Sequence, residues 1–259
     1  EGKKALVFGI ANKNSIAWGI AQALHEQGCE LGFSYAFDKL EHRVRPLAEE
    51  LGVQFVEECD IQKDDEIEKV FQKVADHFGE IDILIHSIAH AKREDLKGAY
   101  LDTSRDGFHL AMGISVYSLV ALSKAAVPLM RNGGSIVCMT FYGAEKAIPH
   151  YNVMGVAKAA LEASTRYLAV DLGPQNIRVN AISAGPIKTL SAAGISGFRK
   201  MLKYTEERAP LRRNVTQLEV GQTALWLCSS LSSGVTGEVI YVDGGYHVLG
   251  MPEPAKNWE

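Results

Sequence analysis

Seven short apolar runs punctuate this chain, and the stretches between them carry apolar residues at helical spacing. The runs are Lys4–Phe8, Glu30–Tyr35, Val53–Val56, Asp82–His86, Ser135–Met139, Ile177–Ile182 and Glu238–Val242. Short runs rich in Val and Ile, separated by helices, predict parallel strands buried on both faces. Ile16, Ile20 and Leu24 recur every four residues, and Ile67, Val70, Val74 and Phe78 recur at three and four. Residues 152–172 and 216–231 also follow the helical period, and a long apolar helix is expected around 113–130. Right-handed crossovers would wind these helices onto both faces of the sheet.

No break in composition suggests a linker, and no internal repeat is evident. Residues 1–259 therefore read as a single α/β domain of Rossmann type, a doubly wound, seven-stranded parallel sheet. Ligands of such sheets bind in the loops beyond the carboxyl ends of the strands. Hydrophobic residues at 47% and charged residues at 22% are ordinary for a globular protein, and a net charge of −4 argues against a strongly basic nucleic-acid face. Cys29, Cys59, Cys138 and Cys228 form no CxxC pair, so buried thiols in a reducing compartment are expected. No apolar run approaches the roughly 20 residues that span a bilayer. No secretory leader is evident behind Glu1. The cytoplasm is the expected location, with neither membrane nor nucleic acid as a partner.

Candidate chemistry enters at the end of the first run. Gly9-Ile-Ala-Asn-Lys-Asn-Ser15-Ile-Ala-Trp-Gly19 is neither GxGxxG nor a Walker loop, yet it sets a glycine at a strand end and a serine where a helix begins. Ser15 reads as an N-cap or first-turn residue, and Gly19 as a close helix–strand contact. The free N–H groups and partial positive charge of a helix N-terminus suit a pyrophosphate. The second run ends in Ser34-Tyr35-Ala36 and lacks the acid that often holds an adenosine ribose; Asp38 comes late, and Lys39 and Arg43 lie farther along. No arginine pair stands at the strand end for a 2′-phosphate, which favours NADH over NADPH.

Tyr151 and Lys158 stand seven residues apart in Tyr151-Asn-Val-Met-Gly-Val-Ala-Lys158, just after Pro149. Seven helical residues turn roughly 700° and rise about 10 Å, so both side chains can face one side. Such a lysine can lean along its helix to hold a cofactor ribose, its charge favouring the tyrosine as proton donor. A half-buried tyrosine beside a solvated lysine is the commoner fate of such a pair.

These residues resemble the short-chain dehydrogenase/reductases and, within them, the enoyl-acyl-carrier-protein reductases. Ordinary members carry Tyr-x3-Lys, which Met154 denies here, whereas the enoyl reductase branch carries Tyr-x6-Lys, as in this chain. Ser15-Ile-Ala-Trp-Gly-Ile20, His86-Ser-Ile-Ala89, Arg178-Val-Asn-Ala-Ile-Ser-Ala-Gly-Pro-Ile187 and Gly237-Glu-Val-Ile-Tyr-Val-Asp-Gly-Gly245 match the same branch, in order, along essentially the whole chain. A ketone or pterin reductase would want Tyr-x3-Lys. A cofactor-sensing module without turnover would have no need of Tyr151 and Lys158.

The resemblance implies NADH-dependent reduction of the trans-2 double bond of enoyl-acyl-carrier-protein thioesters, the last step of the fatty-acid elongation cycle, in a homotetramer. It implies that Gly9, Ser15 and Ile16 line the pyrophosphate, Ala36 the adenosine ribose, and Asp60 and Ile61 the adenine. By the same resemblance Ile88 lies near the cofactor, Lys158 holds the nicotinamide ribose, and Ile187, Thr189, Leu190 and Ser191 contact the carboxamide and phosphates. Tyr151 and Lys158 are the implied catalytic residues. Ala91, Tyr151 and Met154 are the implied substrate contacts, with Phe198 and Met201 of a flap at about 188–208. Many relatives carry a tyrosine at the position of Phe141. Either its hydroxyl is dispensable, or Tyr142 takes a related place, or the activity is altered; the first is expected. His90 is a candidate substrate or inhibitor contact, and its i, i+4 spacing from His86 is not read as a metal site. The 113–130 helix and residues 246–252 are expected at subunit interfaces.

Overall fold

The computed structural model describes residues 2–195 and 197–251. Its strands are β1 (Lys4–Phe8), β2 (Glu30–Tyr35), β3 (Phe55–Glu58), β4 (Ile83–His86), β5 (Gly134–Thr140), β6 (Ile177–Ala184) and β7 (Val239–Val242). They form one seven-stranded parallel sheet in the order β3-β2-β1-β4-β5-β6-β7. This is the expected doubly wound Rossmann sheet. The chain order reverses between β1 and β4, where Phe8 pairs with both Ser34 and His86, so the loops leaving β1 and β4 diverge over a crevice.

Alternate residues of β1 explain why both faces must be covered. Ala5 and Val7 belong to one apolar layer and Leu6 and Phe8 to the other, all at most 1% exposed. The first layer is closed by α1 (Ile16–Glu26), α2 (Glu41–Glu50) and α8 (Gln217–Cys228), through Ile20, Leu24, Val44 and Leu227. The second is closed by α3 (Asp64–Phe78), α5 (Ser118–Ala126) and α6 (Val153–Leu172), through Val70, Val74, Leu119, Leu122 and Leu161. Each such fully buried side chain contributes about 1.5–3 kcal/mol of apolar burial.

Several boundaries depart from the sequence reading. The third strand lies two residues later than expected, because the N–H of Val53 closes α2 on the carbonyl of Ala48 (2.8 Å). The helix expected over 216–231 ends at Cys228, where Ser229 turns the chain into a single 3-10 turn. Gly19 makes a helix–helix contact, not the helix–strand contact expected of it: a Cβ there would meet the Gln217 carbonyl at 2.6 Å, and Gly221 faces the backbone of Gly19 in return. Small residues at this crossing let α1 and α8 lie almost backbone to backbone.

The apolar helix begins earlier than position 113. Ser104 caps α4 (Arg105–Met112) by accepting from the N–H of Gly107 at 3.0 Å. A π segment, Gly113–Tyr117, then leads into α5, and a 3-10 turn ends the run at Leu129. Within the 25 residues from Arg105 to Leu129 an 18-residue window reaches a mean hydropathy of 1.6, long and apolar enough by length and composition to cross a membrane. Here Leu119, Leu122 and Ala126 are buried in the layer beneath α3 and α6.

Candidate active site

The loop after β1 is folded by its own serine. Ser15 occupies the N-cap position of α1, but its side chain caps no helical N–H. Its Oγ instead accepts from the backbone N–H groups of Ala11 (3.0 Å) and Asn12 (3.1 Å), drawing the loop back over the helix start. Gln217 of α8 anchors the loop from the other side, donating to the carbonyls of Ser15 (2.6 Å) and Lys13 (3.3 Å). Gly9 sits at φ +102°, and a Cβ there would collide with the backbone of Ser87 beyond β4. Only glycine lets the two loops of the crevice approach so closely. A glycine-shaped cradle in front of first-turn N–H groups fits the pyrophosphate of a dinucleotide.

The remaining residues expected around a cofactor follow the strand ends. Ala36 is exposed past β2. Asp60 and Ile61 follow β3; the Asp60 carboxylate accepts from the N–H of Gln62 at 3.1 Å, and Ile61 is buried. Ile88, past β4, packs on the layer of α3 and α5. Ile16 and Ile187 pack on the opposite layer. Thr189 donates its N–H to the carbonyl of Ile187 (2.8 Å) and accepts at Oγ1 from Ala192 (3.0 Å), while Leu190 and Ser191 face outward.

Tyr151 precedes α6 and Lys158 is the sixth residue of the helix, so the pair does not share one helix as the spacing suggested. Both are buried, 8% and 4% exposed, which rules out a solvated lysine. Lys158 Nζ donates to the carbonyl of Met139 on β5 at 2.7 Å, so the sheet end fixes the ammonium. Burial pulls its pKa down to about 8, partly opposed by Cys138 and Glu162. Burial alone pushes the Tyr151 phenol up, beyond its ordinary range. The tyrosine therefore holds its proton because it is desolvated, and the expected influence of the lysine charge is not among the causes.

The backbone around Tyr151 is strained. His150 (φ 63°) and Asn152 (φ 40°) both occupy positive φ, which costs of order 1 kcal/mol or more per residue. Asn152 holds its position by donating to the carbonyls of Asp95 (3.3 Å) and Gly98 (3.4 Å). The Tyr151 ring thereby enters an apolar cluster with Leu96, Ala111, Val153 and Met154, packed by Ala91, Phe141 and Ile195. Tyr151, Met154 and Ala91 come together as expected. Phe198 and Met201 sit half-buried on α7 (Phe198–Arg208) outside that cluster, which Ile195 joins instead. Ser196, inside the expected flap, lies outside the described residues, as do Pro252 of the expected 246–252 interface and the rest of the C-terminus.

Phe141 meets Tyr151 edge to face, ring centroids 4.9 Å apart. Tyr142 turns away, packing on Tyr241 and Tyr246, so it does not take the place of a tyrosine at 141. His86 and His90 also part. His90 is exposed, its N–H held by Ser115 Oγ at 3.0 Å. His86 is wholly buried in β4, and burial, with the charge of Lys158, holds its pKa near 3. Ser118 donates to the carbonyl of Ile114 (2.6 Å), so it accepts from His86 Nε2 (2.7 Å), which fixes the imidazole as the neutral Nε2–H tautomer. Among the described residues no group of His, Cys, Asp or Glu is placed to hold a metal. Gln217, Ser115 and Ser118 escape sequence reasoning because each acts on a segment far away in the chain.

Known proteins share this arrangement. Residues 9–247 match the family model described as enoyl-(acyl carrier protein) reductase. The NADH-dependent enoyl-(acyl-carrier-protein) reductase 1 of Rhizobium meliloti strain 1021 is 56% identical over 251 residues, covering 97% of this chain and 92% of its own length. The enoyl-(acyl-carrier-protein) reductase of Anaplasma phagocytophilum, solved with NAD, superposes with a TM-score of 0.95 at 50% identity, covering 98% of this chain and 97% of that one. The Bacillus cereus reductase, solved with NADP+ and indole naphthyridinone, gives 0.95 at 53% identity, covering 97% and 98%. Family model, sequence and fold agree over nearly the full length: this chain belongs to the enoyl-acyl-carrier-protein reductases, oxidoreductases of the short-chain dehydrogenase/reductase superfamily.

Proposed function

We propose that this chain reduces the trans-2 carbon–carbon double bond of enoyl thioesters carried on acyl carrier protein, with NADH, completing each round of fatty-acid elongation. The observation that carries this reading is the burial of both Tyr151, just before α6, and Lys158, within it, with Tyr151 set in the apolar cluster of Met154, Phe141 and Ala91. Apolar surroundings of this kind suit an acyl chain, with the Tyr151 hydroxyl as the polar atom it would meet. NADH, when bound, supplies the hydride that reaches the β-carbon. As charge develops on the thioester oxygen, the Tyr151 phenol donates a hydrogen bond to it from a water-poor site, where such bonds are strongest. Lys158 would hold the nicotinamide ribose while Met139 fixes its ammonium. Gly9, Ser15 and Ile16 would hold the pyrophosphate, with the remaining strand-end residues, Ala36, Asp60, Ile61, Ile88, Ile187, Thr189, Leu190 and Ser191, around the rest of the dinucleotide. Residues 188–208 would close over the acyl chain, bringing Phe198 and Met201 to it.

The same reading makes the protein a cytoplasmic homotetramer within one domain over 1–259. Exposed Tyr117, Val120, Tyr167 and Val170 on the π segment, α5 and α6 supply an apolar face for assembly. Steady-state oxidation of NADH with crotonyl and longer enoyl thioesters tests the activity. Turnover is expected. Reduction of ketones but not enoyl thioesters, or cofactor binding without turnover, would overturn it.

A further inference from the structure

β2 ends without the carboxylate that such sheets often place there. Ala36 and Phe37 occupy the strand end, both exposed, and neither carries charge. The missing carboxylate arrives from the neighbouring strand. Glu58 is the register partner of Tyr35 at the end of β3, and its Oε1 accepts from the N–H of Asp38 at 2.9 Å. This bond brings the Glu58 carboxylate to the turn at 36–38, within reach of the place where an acid on β2 would stand. Its second oxygen keeps its lone pairs for a further donor, such as a ribose hydroxyl.

Among the described residues no cation forms an ion pair with Glu58. Glu57 is taken by Lys73 at 2.6 Å, and Glu41 by Arg45. Arg43 directs its Nε to His42 Nε2 on the same helix, 3.4 Å away. Asp38 adds a second carboxylate to the turn, and Lys39 is the cation beside it in sequence. A ribose 2′-hydroxyl can donate to such a carboxylate, whereas a 2′-phosphate brings like charge against it.

We propose that Glu58, reaching across from β3, is the specificity-determining residue that selects NADH over NADPH in this chain. The proposal rests on the nucleotide reading above. It names a residue that sequence reasoning passes over, because Glu58 stands 22 positions beyond Ala36 and meets the turn only through the sheet.

Dissociation constants for NADH and NADPH, measured by calorimetry on the purified protein, test it. Wild type, Glu58→Gln and Glu57→Gln are compared, with circular dichroism confirming the fold of each. Wild type should bind NADH more tightly than NADPH. Glu58→Gln should tighten NADPH about tenfold, about 1.4 kcal/mol, and change NADH by no more than about threefold. Glu57→Gln should leave the ratio unchanged. A folded Glu58→Gln protein with the wild-type ratio of the two constants would overturn the assignment while leaving the nucleotide site intact. A wild type that binds neither nucleotide would overturn both readings.

Discussion

Tyr151 shows how one residue can be tuned by position alone. Burial keeps its phenol protonated, and strained His150 and Asn152 on either side aim it. Tyr151→Phe removes the donor and keeps the ring, so kcat with an enoyl thioester should fall on the order of 10²-fold or more while the NADH dissociation constant stays within about twofold. An unchanged kcat would remove Tyr151 from the chemistry. Lys158 has the opposite problem, since a buried ammonium is costly. With its pKa drawn down to about 8 from the usual 10.5, the folded protein sheds a proton that the unfolded chain keeps. Stability should therefore rise with pH from about 8 towards 10.5, while kcat/KM falls above about 8 as the ammonium is lost. Lys158→Met should abolish both that pH limb and the activity, yet raise Tm, as measured by calorimetry at neutral pH. The seven-residue spacing was visible in the sequence, but the shared helix face expected from it does not form, because Asn152 at positive φ starts α6 only at Val153. The anchoring of Lys158 by Met139 was not, because a backbone carbonyl on β5 leaves no mark in side-chain identity.

Helices carry their own grammar, and this chain obeys it unevenly. α8 opens with a reciprocal capping box in which Thr216 Oγ1 accepts from the Glu219 N–H and the Glu219 carboxylate accepts from the Thr216 N–H. Arg213 closes on the same carboxylate at 2.6 Å, and these bonds, Arg213 first, hold the Glu219 pKa near 2. Because that value is depressed from 4.5, the stabilisation is present above pH 4.5 and lost as pH falls through about 2. Glu219→Gln should flatten the urea-midpoint profile across that acid window, and Thr216→Ala should cost about 1 kcal/mol at neutral pH. A Glu219→Gln profile parallel to wild type would dissociate Glu219 from acid stability. Periodicity made α1, α3 and α6 legible, since each presents one buried stripe to the sheet. It misplaced β3, whose first apolar residue serves the end of α2, and it could not reveal that α4 and α5 join through a π segment. Gly19 was recognisable as a close contact, but its partner lies 198 residues later, at Gln217.

The sheet as a whole was the most legible feature, because seven runs without a surface face leave few alternatives to a covered parallel sheet. Assembly is less so: the exposed Tyr167 (77%) and Val170 (75%) on α6 declare themselves only once the helix is seated on the core. Val170→Asp should shift the sedimentation velocity profile towards smaller species without changing the far-ultraviolet spectrum, and an unchanged profile would move the interface elsewhere. The contact of α1 with α8 has a further, kinetic consequence. The helix whose start would receive the pyrophosphate is among the first made, and the surface that seats it, together with the Gln217 bonds that tie down its loop, is among the last. Closing so long a loop is slow compared with forming either helix. On the ribosome, then, the amino-terminal half can build its central strands but not a finished nucleotide cradle. Competence to bind the dinucleotide should appear abruptly, after residues 217–228 emerge, so a nascent chain halted before them would be folded in part and blind to its cofactor.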